Sequence, residues 1–373
     1  MTRELSDHTP LLLTAGQQHF RGNSKEFRFE LGWLLRDDFF DIVAPVWQSE
    51  NRGNTPMARW QNKIRRTRRF LRGWAKNLVS QTRSKKCELI SKLDVIDLKA
   101  ESSVLSSLEL DERCHLKGQL QKNLREEELY WLQRAKETRL LHGDENTKYF
   151  QLVANGKHRK KQIFQLEQEE GVITGNENLQ TYITNFYSNL FGPHEENYFS
   201  LDEEIREDLT QVTEQENEFL TAAFTEKEIH DAVFQMEANK APGPDGFPAE
   251  FYQFFWEIVK TDLIQIFQAF HKGELPIHSL NFGIITLLPK STDALCIQQF
   301  RPICLLNVSF KIFTKVLNNR VTSIADRIIS PYQSAFIPGR FILDGVVTLH
   351  ETLHELQRKK EDAVVLKLDF EKA

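Results

Sequence analysis

The sequence predicts an α+β protein that is mainly helical, and three observations carry that prediction. Apolar residues recur at threes and fours over long stretches, which is the helical period. Short apolar or alternating runs bounded by turn residues occur at only a few places, so sheet is sparse. Phenylalanine is common at 27 residues against 17 Gly and 12 Pro, a balance that suits aromatic-packed helices better than a glycine-rich β-protein.

Taken in order, residues 28–47 read as a short strand followed by a helix, and Pro56 stands near the start of a long basic helix. Within it Trp60, Ile64, Leu71, Trp74 and Leu78 keep the helical spacing. Leu89, Leu93 and Ile96, then Leu116, Leu120, Leu124 and Trp131, continue it on either side of a serine-rich break at 102–107, predicting an antiparallel helical hairpin. Gly143 is placed to stop its second helix. Residues 162–166 and 172–174 flank a Gln-Glu-Glu-Gly turn and predict a β-hairpin, and the acidic stretch after Pro193 is the best linker candidate. Thr225-Glu-Lys-Glu228 is a capping box opening a helix that buries Ile229, Val233 and Met236. Lys240-Ala-Pro-Gly-Pro-Asp-Gly246 is a structured loop. Residues 251–271 form an aromatic helix, 284–288 a strand closed by Pro289, 310–329 a helix, and 364–368 an apolar strand ending at Asp369.

With 373 residues, 40% of them hydrophobic, the chain has material for roughly two or three domains, which excludes a disulfide miniprotein and a disordered tail. The opening residues lack a basic stretch followed by an apolar one, and no run of about eighteen uncharged apolar residues occurs, so secreted and membrane-spanning readings are excluded. Cys87, Cys114, Cys296 and Cys304 form no CxxC pair, which leaves reduced thiols and an intracellular location, nuclear and/or cytoplasmic.

Net charge is −5, yet charge is segregated. Residues 52–86 carry twelve Lys or Arg and no acid, while residues 195–218 carry ten acids against Arg206. The basic stretch includes Lys63, Arg65, Arg66, Arg68, Arg69 and Arg72, and a second knot holds Lys157, Arg159, Lys160 and Lys161. A cationic amphipathic helix with aromatic anchors tracks a phosphate backbone by displacing counterions. On these residues alone a nuclear-localisation stretch, a helix lying on the acidic province and an anionic membrane surface stay open.

In the C-terminal third, Lys290 follows a strand end, Arg301 begins another run and Asp369 ends an apolar segment. A Lys and an Arg on a hairpin can bracket a triphosphate, and a carboxylate at a strand end suits Mg²⁺. Taken singly, they also fit solvated rim charges and a turn aspartate.

Five blocks in order resemble the reverse transcriptase of non-LTR (LINE-type) retrotransposons. They are Lys240-Ala-Pro-Gly-Pro-Asp-Gly-Phe247, Ile285-Thr-Leu-Leu-Pro-Lys290, Phe300-Arg-Pro-Ile-Cys-Leu-Leu-Asn307 with Lys311-Ile312, Gln333-Ser-Ala-Phe-Ile-Pro-Gly-Arg340 with Asp344, and Leu366-Lys-Leu-Asp-Phe-Glu-Lys-Ala373. Residues 131–150 are similar to the linker such elements, plant ones in particular, place before the polymerase. Leu5-Ser-Asp-His-Thr-Pro-Leu11 is similar to the close of the preceding apurinic-type endonuclease, with Asp7 and His8 as its remnant pair.

The resemblance implies three parts: 1–15 an endonuclease remnant, 16–219 a helical basic linker, and 220–373 the fingers and first palm strand of a right-hand polymerase. It implies Asp369 as catalytic metal ligand, with the Phe370 carbonyl helping to hold Mg²⁺. Lys290 and Arg301 would grip nucleotide phosphates, while Gln333, Gly339 and Arg340 would shape the template and nucleotide pocket. RNA template, DNA target or primer, and dNTPs are the implied partners, with no membrane.

Two departures are mild: Gly345 follows Asp344 where the family usually has Asn, and Cys304 stands where Ser is common. Beyond Ala373 the family continues into an aromatic residue and a Tyr-Ala-Asp-Asp turn. A two-metal site needs several carboxylates, so the chain by itself is expected not to polymerise DNA. It is also expected to be poorly soluble, through an apolar edge at 364–368. The competing expectation is a non-catalytic RNA- or DNA-binding relic or domesticated scaffold.

Overall fold

Phe27 and Phe29, at the start of residues 27–51, 53–135, 147–160, 163–192, 210–291 and 293–368 described by the computed structural model, are buried against other rings. Phe27 lies 5.3 Å from Phe247 and Phe29 lies 5.5 Å from Phe251, centroid to centroid. The strand expected here is extended backbone in no sheet. Its bonds are isolated ones, the Phe29 N–H donating to the Gly246 carbonyl at 3.0 Å and the Phe29 carbonyl accepting from Gln133 Nε2 at 2.9 Å, and a loop and a side chain make no ladder.

After a 3₁₀ turn at Leu31–Leu35, α1 (Phe39–Gln48) leads to α2 (Pro56–Ser102), which merges the basic helix and the first arm of the hairpin into 47 continuous residues. Thr55 caps it by accepting the Ala58 N–H at 3.1 Å, with Pro56 in the first turn. As the spacing predicts, Trp60, Ile64, Leu71 and Leu78 are buried and Trp74 packs at the margin. α3 (Ser107–Ala135) returns alongside, Leu89 and Leu93 meeting Leu116. The expected stop at Gly143 lies outside the described residues.

α4 (Thr147–Lys160) precedes the predicted hairpin, β1 (Gln165–Gln168) against antiparallel β2 (Gly171–Thr174), and α5 (Asn176–Leu190) follows. Most of the acidic linker candidate lies outside the described residues. α6 (Glu214–Thr221) and α7 (Glu226–Phe234) each open on a capping box, Thr213 with Glu216 and Thr225 with Glu228.

The aromatic helix expected over 251–271 is two, α8 (Ala249–Phe254) and α9 (Trp256–His271), broken at Phe255. A straight helix would send Phe254, Phe255 and Trp256 to different sides. The break lets Phe255 and Trp256 both be buried, with Phe255 stacked on Phe40 at 5.6 Å.

β3 (Gly283–Pro289) pairs antiparallel with β4 (Phe300–Leu306), ahead of α10 (Val308–Ile328) and α11 (Ile342–Lys359). No residue of α11 is buried. Residues 364–368 are exposed as expected but form no strand. A strand exists through its ladder, and among the described residues none pairs with this segment.

One core unites the first half of α2 and α1 with α7, α8, α9 and the start of α10; Trp60, Leu71, Phe251, Leu263, Ile312 and Val316 belong to it. Core packing therefore joins the stretch assigned to the linker with the stretch assigned to the fingers. No described helix is long and apolar enough to cross a membrane.

Candidate nucleic-acid interface

Eight of the basic residues of α2 fall into two sets, because one helix face is locked in the core and the other is not. Lys63, Arg66 and Arg68 point inward and are spent on structure. Lys63 pairs with buried Asp262 at 2.7 Å, which also accepts the Trp47 indole N–H at 2.9 Å. Arg66 donates to the carbonyls of Trp47, Ser49 and Glu50, the free acceptors at the end of α1. Arg68 donates to the Pro244 carbonyl at 3.3 Å.

Arg65, Arg69, Arg72, Lys76 and Arg83 form the second set, exposed and spaced by four, three, four and seven. That spacing keeps them on one face over about 27 Å of helix. Arg65 donates to Asn62, while Arg69, Arg72, Lys76 and Arg83 make no ion pair among the described residues. Lys157, Arg159 and Lys160 fall in the last turn of α4; their side chains, and Lys161, lie outside the described residues.

Where α2 meets the Pro-Gly-Pro-Asp-Gly loop and the start of α10 there is a cleft of about 270 Å³. Its lining includes Trp60, Ile64, Arg65 and Arg68 of α2, Leu280 and Phe282, and Asn307 with the buried Asp245 and Ser309. Asp245 is 6% exposed; its N–H donates to Asn307 Oδ1 and its carboxylate accepts the Phe247 N–H, each at 3.0 Å. The Tyr252 hydroxyl is buried beside it, and Arg68 and Lys311 contribute positive charge.

Burial pushes the Asp245 carboxyl up to about 6 against that hydrogen bond and those cations. The folded chain thus holds this proton more tightly than the unfolded one. The cost is absent below the unfolded value near 3.8, grows as pH rises toward 6, and is constant above. Asp245→Asn is expected to gain on the order of 2 kcal/mol relative to the parent between pH 4 and pH 8, read by urea denaturation at both. Parallel stability–pH curves would show that Asp245 is not the titrating group.

The β3–β4 hairpin brings Lys290 and Arg301 together. Leu288 lies opposite Arg301, and the Lys290 N–H extends the ladder to the Gln299 carbonyl at 2.8 Å. Opposed residues share a face, so Leu288, Lys290, Gln299 and Arg301 point the same way, the cations as diagonal neighbours about 7–8 Å apart. The other face carries Phe300 into a small core with Leu166 and Leu179.

Arg340 is a staple. Its guanidinium bonds Asp326 Oδ1 at 2.9 and 3.1 Å and the carbonyls of Asp326, Ile329, Ser330 and Gln333, folding the loop after α10 onto its end. Gln333 is exposed, and Gly339 takes a positive φ of 81° in the same loop. Asp369 and Phe370, like Asp7 and His8, lie outside the described residues, among which no group of three His, Cys, Asp or Glu is placed to hold a metal.

Sequence reasoning passed over Asp245, Asn307, Ser309 and Phe282. The first two stand inside quoted motifs, but burial of a loop aspartate depends on contacts 60 residues or more away, which no local pattern encodes.

Over 234 residues the chain is 36% identical to the uncharacterized 149 kDa protein of transposon TX1 from Xenopus laevis, an alignment covering 62% of this chain. The chain spans 18% of that protein's length. The segment that begins at Leu288 and carries Lys290, Arg301 and Arg340 matches, over residues 288–373, the family model for reverse transcriptase (RNA-dependent DNA polymerase).

Proposed function

We propose that this chain is the fingers side of a LINE-type reverse transcriptase together with its upstream linker. The exposed face of α2 holds the phosphate backbone of template RNA or target DNA, and Lys290 with Arg301 receives the triphosphate of the incoming dNTP. The observation that carries this reading is the cationic stripe of Arg65, Arg69, Arg72, Lys76 and Arg83 on a helix whose opposite face shares a core with Ile312, Phe313 and Val316 of the family-matched segment. Phosphate binding is thereby fixed in place relative to the hairpin cations rather than carried on a loose tail. Mg²⁺, implied by the same reading, would be held by Asp369 and the Phe370 carbonyl, which lie outside the described residues.

Reversing Arg65, Arg69 and Arg72 to Glu is expected to weaken binding of unrelated RNA sequences alike, by an order of magnitude or more. The slope of log K against log salt should fall by about three, one per lost phosphate contact. Fluorescence anisotropy at several salt concentrations measures both. Salt-independent binding, or an unchanged slope, contradicts the backbone role. Lys63→Gln should instead lower stability and leave that slope alone, since Lys63 faces Asp262.

A further inference from the structure

We infer that the cleft between α2 and the start of α10 takes in one unpaired base from the strand whose backbone follows the α2 stripe. The inference rests on the backbone reading above and adds a site to it. Arg65 belongs to both features: it lines the cleft and stands one helical turn before Arg69, so the stripe leads into the opening.

Size limits the occupant. About 270 Å³ is at the small end of ligand pockets, enough for a single planar group and far too little for a duplex. Chemistry then selects it. Trp60, Ile64 and Leu280 give apolar walls, and Phe282, 62% exposed, offers a ring at the cleft for stacking. Ser309, 4% exposed, is among the lining residues, and its hydroxyl can both donate and accept. Asn307 spends its side-chain oxygen on the Asp245 N–H, which leaves its amide nitrogen as a donor. These groups suit the polar edge of a base. The Asp245 carboxylate disfavours a phosphate at the same depth, so the phosphate stays outside on Arg65.

The test uses the purified chain with a labelled 12-nucleotide single-stranded RNA, the same RNA with abasic positions, and a 12-base-pair RNA duplex. Phe282→Ala is expected to weaken the single strand roughly 5- to 100-fold and leave the duplex and the abasic strand unchanged. Phe282→Trp should restore binding. Equal loss for single strand and duplex, or no loss for the single strand, overturns the base site. Arg69→Glu with Arg72→Glu should weaken all three probes; if they do not, the backbone reading fails on its own account. Because Phe282 is exposed, the thermal melting of its variants should match the parent, which separates lost binding from lost folding.

Discussion

Arg320→Ala is expected to destabilise the protein by about 3–5 kcal/mol, the scale for leaving a buried charge and its acceptors unpaired. Arg320 is 4% exposed. Its Nε and Nη2 meet the two oxygens of Glu228 at 2.6 and 3.0 Å, and its remaining donors reach the carbonyls of Leu220, Ala222 and Ala223. The guanidinium carbon also lies 4.2 Å from the centre of the Phe224 ring. One side chain therefore ties α10 to the turn between α6 and α7 and to the capping box of α7. Lysine keeps the charge but not the fork, so Arg320→Lys should recover less than half of the loss. Acid behaviour gives an independent reading. Arg320, ahead of the Thr225 hydrogen bonds, holds the Glu228 carboxyl down to about 2. Its contribution is complete above the ordinary value near 4.5 and is lost as pH falls toward 2, so the variant should show a shallower acid limb over that interval. Denaturant unfolding of parent and variant between pH 2 and pH 7 measures both effects.

The second large effect is Gly246→Ala, expected to cost about 3 kcal/mol or more. Gly246 holds a positive φ of 82°, and a Cβ there would stand 2.3 Å from the Phe27 carbonyl oxygen. That neighbour is backbone, so relief requires the extended segment to move, and the segment carries Phe27 and Phe29 into the core and bonds the Gly246 carbonyl. Gly273 is the control: its φ is also positive, at 73°, but nothing lies within 4 Å of its Cβ position, so its alanine variant should lose only the conformational part. Thermal melting of the two variants side by side gives the comparison; equal losses would remove the steric argument.

Local chemistry was legible where the signal itself is local. The capping box at Thr225, the apolar face of the basic helix, the hairpin at 165–174 and the strand at 283–289 follow from spacing and turn residues. Features that depend on a distant partner were not. Residues 28–30 and 364–368 have strand-like composition, but strands are made by neighbours, and neither segment has one among the described residues. The spacing of Trp60, Ile64 and Leu71 sets Lys63 toward the core side of α2 and Arg69 on the other, but the acid that Lys63 meets, Asp262, almost 200 residues on, is not contained in that spacing. Lys290 and Arg301 both flank short apolar runs, which suits one hairpin, and the pairing puts them on one face. Arg340 is expected to help shape the template and nucleotide pocket, and its bonds to Asp326 and to nearby carbonyls fix the loop that bears it.

The 47-residue α2 has a mechanical consequence. It is about 70 Å of unbroken rod with no proline after its first residue, clamped at one end by the aromatic core and supported beyond Leu78 mainly by the returning α3. A rod held in that way is a lever. Force applied near Ser102 arrives at Trp60 as torque, and the arm beyond Leu78 that carries it holds neither glycine nor proline. Whatever loads the tip of this handle therefore loads its cationic face as well.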